Sequence, residues 1–203
     1  MSLSDLQRNP HRRFNPLTGE WVLVSPQRTQ RPWLGKVDDS SQHDPPAYDP
    51  DCYLCPGNAR AGGMRNPGYE GTFVFENDYP ALLPEAPQTG GEESGLLVAQ
   101  AEGGICRVVC FSPSHDLAIA RMKPEEIRAV VDVWTEQYES LGRIPWIQHV
   151  QIFENRGALA GASNPHPHCQ IWASSSIPNL PGKELASFRE YRKRGSLVCC
   201  ATT

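Results

Sequence analysis

The segment Ser163-Asn164-Pro165-His166-Pro167-His168-Cys169-Gln170 constrains the fold of this chain more than any other stretch. It runs directly into the apolar residues Ile171-Trp172-Ala173, and this pattern predicts a β-strand. Pro167 has no backbone N–H to donate to a strand ladder, so we expect either an edge strand or the start of a strand. Both positions leave room for a ligand to approach.

The two histidines of this segment stand two residues apart. Because side chains alternate between the faces of a strand, His166, His168 and Gln170 should lie on one side. Cys169 should then turn to the other side. A row of two imidazoles and an amide could bind or transform a ligand, whereas the alternative is a surface turn with two solvated histidines.

Length and composition indicate one sizeable globular domain, since 203 residues with 39% apolar content can bury a core. No apolar run reaches roughly 18 residues and the N-terminus lacks the pattern of a secretion signal, which favours a cytoplasmic protein. The net charge of −4 argues against nucleic acid or a membrane surface as a partner. A phosphate-bearing ligand would therefore have to be bound by positively charged side chains close to its site.

The seven cysteines favour free thiols and metal ligands over a disulfide framework, because their number is odd and no secretion signal accompanies them. Cys52 and Cys55 form a Cys-x-x-Cys pair followed by Pro56-Gly57, as in the tight turn of a zinc knuckle. A redox pair or two ordinary thiols are the alternatives. Turn-forming residues crowd both sides of the pair, whereas a redox pair usually opens a helix, so a metal site is favoured provided that nitrogen ligands lie nearby.

Apolar periodicity predicts several strands and two helices. A helix over 124–141 has Pro124 in its first turn, acids near its start and Gly142 at its end. Gly90-Gly91 predicts a disordered or flexible loop. The predicted strands cover 21–25, 104–111 and 149–155 with an aromatic strand inside 71–80, and a short amphipathic helix covers 183–194.

Three further segments offer groups for a phosphorylated ligand. The guanidinium groups of Arg28 and Arg31 could donate paired hydrogen bonds to phosphate oxygens. Alternatively, both residues could belong to a solvated basic loop. Asn77-Asp78 could present acceptors and an amide to a ribose and base, or close a turn through Asx hydrogen bonds. The glycine-rich turn at 157–163 would let backbone amides approach a phosphate closely.

His115, just past the predicted strand 104–111, is placed to be a metal ligand or a turn residue. Together with Cys52, Cys55 and one imidazole of the His-Pro-His segment it would complete a tetrahedral zinc set. The other imidazole would stay free. Neutral imidazole is a nucleophile and, once bonded to phosphorus, a good leaving group, which suits nucleotidyl transfer.

The chain resembles the galactose-1-phosphate uridylyltransferase family, a branch of the histidine-triad superfamily, from Pro10 to about Trp172. The segments that carry the resemblance are His11-Arg12-Arg13, Asn15-Pro16-Leu17-Thr18-Gly19, Trp21, Arg31-Pro32-Trp33, Cys52-x-x-Cys55, Asn66-Pro67, Asn77-Asp78, Phe153-Glu154-Asn155 and Ser163-Asn164-Pro165-His166-Pro167-His168. It implies an α+β fold: a mostly antiparallel, histidine-triad-like sheet with packed helices and a zinc-binding loop.

The resemblance also implies an activity. UMP would be exchanged between UDP-glucose and galactose 1-phosphate through a uridylyl-histidine, yielding glucose 1-phosphate and UDP-galactose. This reaction belongs to galactose metabolism in the cytoplasm (the Leloir pathway). The family is homodimeric. His168 is implied as the nucleophile and Gln170 as a second catalytic residue. The implied zinc ligands are Cys52, Cys55, His115 and His166, and the implied substrate contacts are Arg28, Arg31, Asn77, Asp78, Asn155, Gly161, Ser163 and Gln170.

One departure concerns length, because chains of this family are longer and have a second half that repeats the same architecture. We interpret 1–203 as the N-terminal domain, and residues 195–203 match no pattern of the family. Glu184 matches a ligand of a second metal, iron, in this family. The other ligands of that metal are histidines of the second half. We therefore expect Glu184 to be a solvated helix residue that binds no metal. Exposed apolar faces, association or aggregation, and weak or lost turnover are also expected.

Two alternatives to this function remain open at this stage. One is a zinc-stabilised fragment that binds UDP-sugar with weak or no activity. The other is a different histidine-triad nucleotidyl transferase or hydrolase.

Overall fold

The computed structural model describes residues 7–26, 28, 45–85, 91–94, 97–157, 160, 162 and 164–193. Of residues 91–94 and 97–99 it describes the backbone alone. In chain order the strands and α-helices are β1 (His11–Asn15), β2 (Glu20–Val24), β3 (Phe73–Glu76), β4 (Gly91–Ser94), β5 (Leu97–Gln100), β6 (Gly104–Cys110), α1 (Pro124–Gly142), β7 (His149–Phe153), β8 (His168–Ser174) and α2 (Asn179–Lys193).

The chain divides into two compact units, one formed by Met1–Ser40 with Ile177–Thr203 and the other by Ser41–Ser176. The first unit contains the antiparallel hairpin β1-β2 and helix α2. Within it, Lys183 Nζ lies 2.9 Å from Glu20 Oε1. The hairpin exposes large apolar side chains, since Trp21 is 57% and Leu23 70% accessible.

The second unit is built on a four-stranded sheet with the order β3-β6-β8-β7, in which every neighbouring pair is antiparallel. This confirms the α+β class and the mostly antiparallel sheet. Strand β8 has a partner on each side, so the edge-strand prediction for the His-Pro-His segment is wrong. The other prediction, the start of a strand, is confirmed. Pro167 lies one residue before the ladder begins, and its missing N–H therefore removes no bond from the sheet.

One face of this sheet packs against α1 and forms the main apolar core. Cys169 and Ile171 of β8 lie in that core with Val130 and Leu141 of the helix. The indole Nε1–H of Trp134 donates to Cys169 Sγ at 3.2 Å. As expected from strand alternation, Cys169 therefore turns away from the side that carries His168 and Gln170.

The opposite face of the sheet packs against the cysteine loop. Val108 and Cys110 of β6 cluster there with Cys52, Leu54 and Cys55, and the rings of Phe73, Phe75 and Tyr69 pack against this cluster. The register of β6 on β8 places Cys110 opposite His168 and Val108 opposite Gln170. The sheet therefore brings the cysteine loop and the two polar side chains of β8 to the same side.

Helix α1 agrees with the predicted span to within one residue and is capped at its start, where the backbone N–H of Lys123 donates to Glu126 Oε2 at 2.7 Å. Helix α2 begins at Asn179, four residues before the predicted start. The prediction of a disordered or flexible loop at Gly90-Gly91 is wrong for Gly91, because β4 begins there and pairs with β5 in a hairpin. Gly90 lies outside the described residues. Among the described residues, no helix is long and apolar enough to cross a membrane.

Candidate metal centre and the adjoining cavity

Two of the candidate metal ligands come from a tight loop. The backbone N–H of Cys55 donates to the carbonyl of Cys52 at 3.1 Å, which turns both thiols to one side. Two side-chain amides hold the loop in this shape: Asn58 Nδ2 donates to Cys52 O at 2.8 Å, and Asn66 Nδ2 to Cys55 O at 2.9 Å. The Cys-x-x-Cys turn is therefore set by local hydrogen bonds.

The other two candidate ligands arrive from distant points of the chain. His115 follows the end of β6, where its backbone N–H donates to Ala47 O at 2.8 Å, and His166 immediately precedes Pro167 and β8. The ligand atoms of Cys52, Cys55, His115 and His166 all lie within 4.8 Å of one another, and all four side chains are buried. This group could hold a metal ion.

The tautomer of His166 is set by its neighbours. Its Nδ1 lies 3.5 Å from Cys55 Sγ, and its Nε2 lies 3.0 Å from the carbonyl oxygen of Ser112. A carbonyl only accepts, so the proton is on Nε2 and the lone pair of Nδ1 points at the cysteine loop. The Tyr69 hydroxyl, which donates to Leu54 O at 2.6 Å, lies 3.1 Å from the same Nε2 and can accept from it. Such outer hydrogen bonds orient metal-binding histidines.

Burial favours the uncharged forms of two side chains of this group, His166 and Cys55. It lowers the pKa of His166 to about 4 and raises the pKa of Cys55 to about 11. A neutral imidazole is already the ligating form, whereas a thiol ligates only after losing its proton. Metal binding at this group would therefore release a proton from Cys55.

Asn164 connects the cysteine loop to the histidine segment. Its Nδ2 donates to Cys52 Sγ at 3.3 Å, while its Oδ1 accepts from the backbone N–H of His166 at 2.8 Å. No role for this side chain was predicted from the sequence. An Asn two residues before a ligand is a familiar local signal for such an Asx hydrogen bond, and it could have indicated the role.

A cavity of about 510 Å³ opens beside this group. His168 and Gln170 of β8 line it together with Asn77 and Asp78, which follow β3. Its other lining residues are Tyr53, Leu54, Ala59, Arg60, Ala61, Phe75, Tyr79 and Val108. The cavity thus has largely apolar and aromatic walls with a few polar groups, which is the usual composition of a small-molecule site.

His168 lines this cavity, and none of the described residues is a hydrogen-bond partner of its Nε2. Its Nδ1 lies 2.7 Å from the carbonyl oxygen of His166, which can only accept, so Nδ1 carries the proton. The lone pair is therefore on Nε2. A positioned imidazole with a free lone pair can act as a nucleophile.

Arg60 also lines the cavity, although no sequence motif predicts a role for it. Its side chain is only 8% exposed, its guanidinium carbon lies 3.8 Å from the centre of the Phe75 ring, and its Nε lies 3.5 Å from Asp78 Oδ2. Nε and Nη1 have no hydrogen-bond partner among the described residues. The guanidinium partly neutralises Asp78, and no sequence motif pointed to this pairing.

Residues 1–178 match the family described as galactose-1-phosphate uridyl transferase, N-terminal domain. The chain belongs to the galactose-1-phosphate uridylyltransferase family. It is 48% identical over 185 residues to the enzyme of that name from Rattus norvegicus, covering 91% of this chain and 48% of the relative. With the one from Haemophilus influenzae it shares 45% identity over 199 residues, covering 97% and 56%. The chain spans about half the length of the curated relatives it matches.

Solved structures support the same fold. An ADP-glucose phosphorylase from Arabidopsis thaliana with bound ADP-glucose superposes with a TM-score of 0.64 at 25% identity, covering 92% of this chain and 56% of that one. A structure described as uridylyltransferase gives a TM-score of 0.58 at 25% identity, covering 91% and 52%. Both confirm the histidine-triad-like architecture.

The uridylyltransferase resemblance implies further site residues in other segments of the chain. Asn155 lines a second cavity of about 270 Å³, together with Asn164 and Pro165. In the first unit, Arg28 follows β2 with an exposed side chain, and Glu184 is partly buried on α2. Arg31, Gly161 and Ser163 lie outside the described residues.

Two interpretations were left open for the Asn77-Asp78 corner, a ligand contact and a turn closed by Asx hydrogen bonds. The Oδ1 of Asn77 accepts from the backbone N–H of Tyr79 at 2.9 Å, which is an Asx turn. The same residue lines the His168 cavity. The turn therefore holds the corner in place at the cavity, and the two interpretations are compatible.

Proposed function

We propose that this chain provides the uridylyl-transfer site of a UDP-glucose–hexose-1-phosphate uridylyltransferase, with His168 as the nucleophile. The observation that carries the proposal is the hydrogen bond from His168 Nδ1 to the His166 carbonyl, because it leaves the Nε2 lone pair at a cavity suited to a nucleotide. Membership of the uridylyltransferase family supports the same reaction.

In the first step, the Nε2 lone pair of His168 attacks the α-phosphorus of UDP-glucose. The bond from that phosphorus to the bridging oxygen breaks, and glucose 1-phosphate leaves with the electron pair. The imidazole becomes positively charged, and its Nδ1–H keeps donating to the His166 carbonyl, which stabilises this charge. No base is needed, because the nucleophilic nitrogen carries no proton.

In the second step, a phosphate oxygen of galactose 1-phosphate attacks the phosphorus of the uridylyl-histidine. The P–N bond breaks, its electrons return to Nε2 of His168, and UDP-galactose forms. Because Nδ1 keeps its proton and its hydrogen bond to the His166 carbonyl throughout, His168 returns to its starting tautomer. The nucleotide is therefore transferred in two displacements at one phosphorus, and neither step changes the protonation of Nδ1.

The remaining polar residues would position the nucleotide. We assign Gln170 as a donor to a phosphoryl oxygen, and Asn77 and Asp78 as partners of ribose hydroxyls. Arg28 and Arg31 would neutralise the diphosphate. The other proposed substrate contacts are Asn155, Gly161 and Ser163.

Zinc is the metal that we assign to the cysteine–histidine group. Ligands at about 2.0 Å for nitrogen and about 2.3 Å for sulfur from a tetrahedral centre stand roughly 3.5 Å apart. Cys55 Sγ lies 3.5 Å from Nδ1 of both His115 and His166, which fits that spacing. With four protein ligands the ion would have no open position, so its role would be to hold three chain segments together.

We propose that Glu184 binds no second metal in this chain. One carboxylate and water hold a transition metal weakly, because affinity comes from several ligands fixed together. Iron would need further ligands. Metal analysis of the purified protein should find one zinc and no iron per chain, and two metals per chain would overturn the assignment.

The proposed partners are UDP-glucose, UDP-galactose, glucose 1-phosphate and galactose 1-phosphate. We further propose a cytoplasmic protein of galactose metabolism that acts as a homodimer, and no role for nucleic acid or membrane. The net charge of −4 supports the last point.

Exchange of labelled glucose 1-phosphate into UDP-glucose tests this function, because it requires the first step alone. We expect exchange by the wild-type chain, loss of at least a thousandfold in His168→Asn, and near-normal exchange in the control His149→Asn on β7. Exchange that survives in His168→Asn would exclude His168 as the nucleophile. A wild-type chain that binds UDP-glucose in calorimetry without exchange would favour a zinc-stabilised binding fragment.

A second candidate is another nucleotidyl transferase of this superfamily, favoured by the similarity to the structure described as an ADP-glucose phosphorylase. The two candidates differ in the nucleotide that they accept. Running the exchange assay with ADP-glucose beside UDP-glucose separates them. A higher kcat/KM for ADP-glucose would support the second candidate.

A further inference from the structure

Gln170 accepts a hydrogen bond from a neighbour on its own strand. The indole Nε1–H of Trp172 donates to Gln170 Oε1 at 3.0 Å. The two residues are two positions apart on β8, so their side chains lie on the same face of the sheet as His168. The bond therefore acts at the wall of the cavity that Gln170 lines.

This bond decides which end of the Gln170 amide is available to a ligand. An amide has an accepting oxygen and a donating NH₂, and rotation about the last side-chain bond exchanges their positions. The indole nitrogen of Trp172 can only donate. It therefore pairs with the oxygen, and the NH₂ is the end left for the cavity.

Trp172 is itself held in place. Its ring lies 5.3 Å from the ring of Phe153 on β7, centre to centre, at an interplanar angle of 82°. This edge-to-face arrangement is a favourable geometry for two aromatic rings, and it restricts the rotation of the indole. Phe153 therefore helps to fix the orientation of the Trp172 ring, and Trp172 in turn fixes the orientation of the Gln170 amide.

We propose that Trp172 is a positioning residue, whose indole N–H keeps the Gln170 amide with its NH₂ toward the phosphoryl group in transit. The inference rests on the proposed function and extends it. A phosphoryl oxygen is an acceptor bearing negative charge, so an NH₂ stabilises it, whereas a reversed amide would present its carbonyl oxygen and repel it.

Trp172→Phe tests this directly, because phenylalanine retains an aromatic ring for contact with Phe153 and lacks the N–H. Removing one donor to a developing charge costs about a hundredfold or more, and an amide that is reversed part of the time should cost less. We expect kcat for glucose 1-phosphate exchange to fall about tenfold with KM for UDP-glucose changed less than twofold. The matched control is Trp134→Phe, whose indole N–H donates to Cys169 Sγ on the other face and whose loss should leave kcat unchanged.

A double-mutant cycle separates positioning from general damage to the fold. In a Gln170→Ala background there is no amide to orient, so adding Trp172→Phe should cause no further loss of kcat. An equal tenfold loss in both backgrounds would overturn the proposal. Wild-type kcat in Trp172→Phe would also overturn it.

An activity-independent measurement keeps the inference testable if the exchange reaction itself is absent. The indole N–H resonance of Trp172 should shift and exchange faster with solvent in Gln170→Ala, while that of Trp134 should not change. An unshifted Trp172 resonance would overturn the inference. A wild-type chain without exchange would instead overturn the proposed function, and the resonance would still decide whether Trp172 holds Gln170.

Discussion

At the scale of single residues, Tyr69 is a side chain that links the cysteine loop to a candidate metal ligand. Its hydroxyl donates to Leu54 O and lies 3.1 Å from Nε2 of His166. We expect Tyr69→Phe to weaken zinc binding about tenfold, because losing an outer hydrogen bond of a metal-binding histidine typically costs 10–100-fold. The lower end of that range applies since His166 keeps its bond to the Ser112 carbonyl.

Competition with a chelating dye measures this affinity. Tyr138→Phe is the matched control, because Tyr138 is exposed on α1. Equal zinc affinities for Tyr69→Phe and the wild type would show that the Ser112 carbonyl orients the ring without help from Tyr69.

At the scale of secondary-structure elements, Gly104 allows β6 to begin close against β8. A Cβ at this position would contact the backbone carbonyl oxygen of Ala173 and lie 2.6 Å from Leu82 Cδ1. Backbone cannot give way as a side-chain tip can, so Gly104→Ala should lower the free energy of unfolding by about 3 kcal/mol. Urea denaturation measures this, with Gly71→Ala as the control since a Cβ there meets nothing within 4 Å. Similar midpoints for the two variants would contradict the prediction.

Glu102 connects the beginning of β6 to the end of β8. Its carboxylate accepts from Ser175 Oγ at 3.0 Å, from Ser176 Oγ at 2.7 Å and from the backbone N–H of Ser176 at 3.0 Å. These bonds, led by the Ser176 hydroxyl, lower the pKa of Glu102 below its ordinary value of 4.5. A carboxyl with a lowered folded pKa stabilises the fold above its unfolded pKa, and that contribution is lost as the pH falls through the folded pKa.

Glu102→Gln should therefore be less stable than the wild type above about pH 5, and the difference should disappear toward pH 2. The exposed carboxylate limits the effect to at most about 1 kcal/mol. Urea denaturation across this pH range measures it, with Glu136→Gln on the exposed side of α1 as the control. A stability difference that grows toward acid would have the wrong sign and would contradict this account.

At the scale of the whole molecule, the proposed zinc ligands join three segments that are distant in sequence. Metal binding at such a site contributes to folding, because the unfolded chain does not hold the ligands together. Chelation should therefore destabilise the wild type by several kcal/mol, and Cys52→Ser should be equally unstable with or without chelator. The measurement is thermal unfolding in both conditions.

Cys106→Ser is the control for this experiment, since Cys106 is buried on β6 and lies outside the metal group. It should keep the sensitivity to chelator that the wild type has. A Cys52→Ser variant that binds no zinc and still melts like the wild type would show that the metal does not stabilise the fold.

What was missed at the site has a common physical cause. Tyr69 lies 97 residues from His166 in sequence, and Asn164 lies 112 residues from Cys52. Local patterns carry no signal for pairs at such separations, because these contacts exist only after the sheet and the cysteine loop have packed. Arg60 was missed for the same reason, since its pairing with Asp78 depends on how the loop rests against β3. The bond of Asn164 to the backbone of His166, by contrast, is local.

The sequence by itself determined the strands of the four-stranded sheet, helix α1 and the candidate ligand chemistry, but not the hairpin β4-β5. Strand alternation separated Cys169 from His168 and Gln170, and the Cys-x-x-Cys spacing identified two candidate ligands, because both patterns depend on neighbouring residues alone. Only the tertiary structure decided that β8 is a central strand and that His166 turns its Nδ1 toward the cysteine loop while His168 keeps a free Nε2 at a cavity. The central position of β8 depends on its pairing with both β6 and β7, and the orientation of His166 depends on the Ser112 carbonyl, 54 residues away in sequence. The acceptor for His168 Nδ1 is local, but the cavity at this side chain is lined by residues from distant segments.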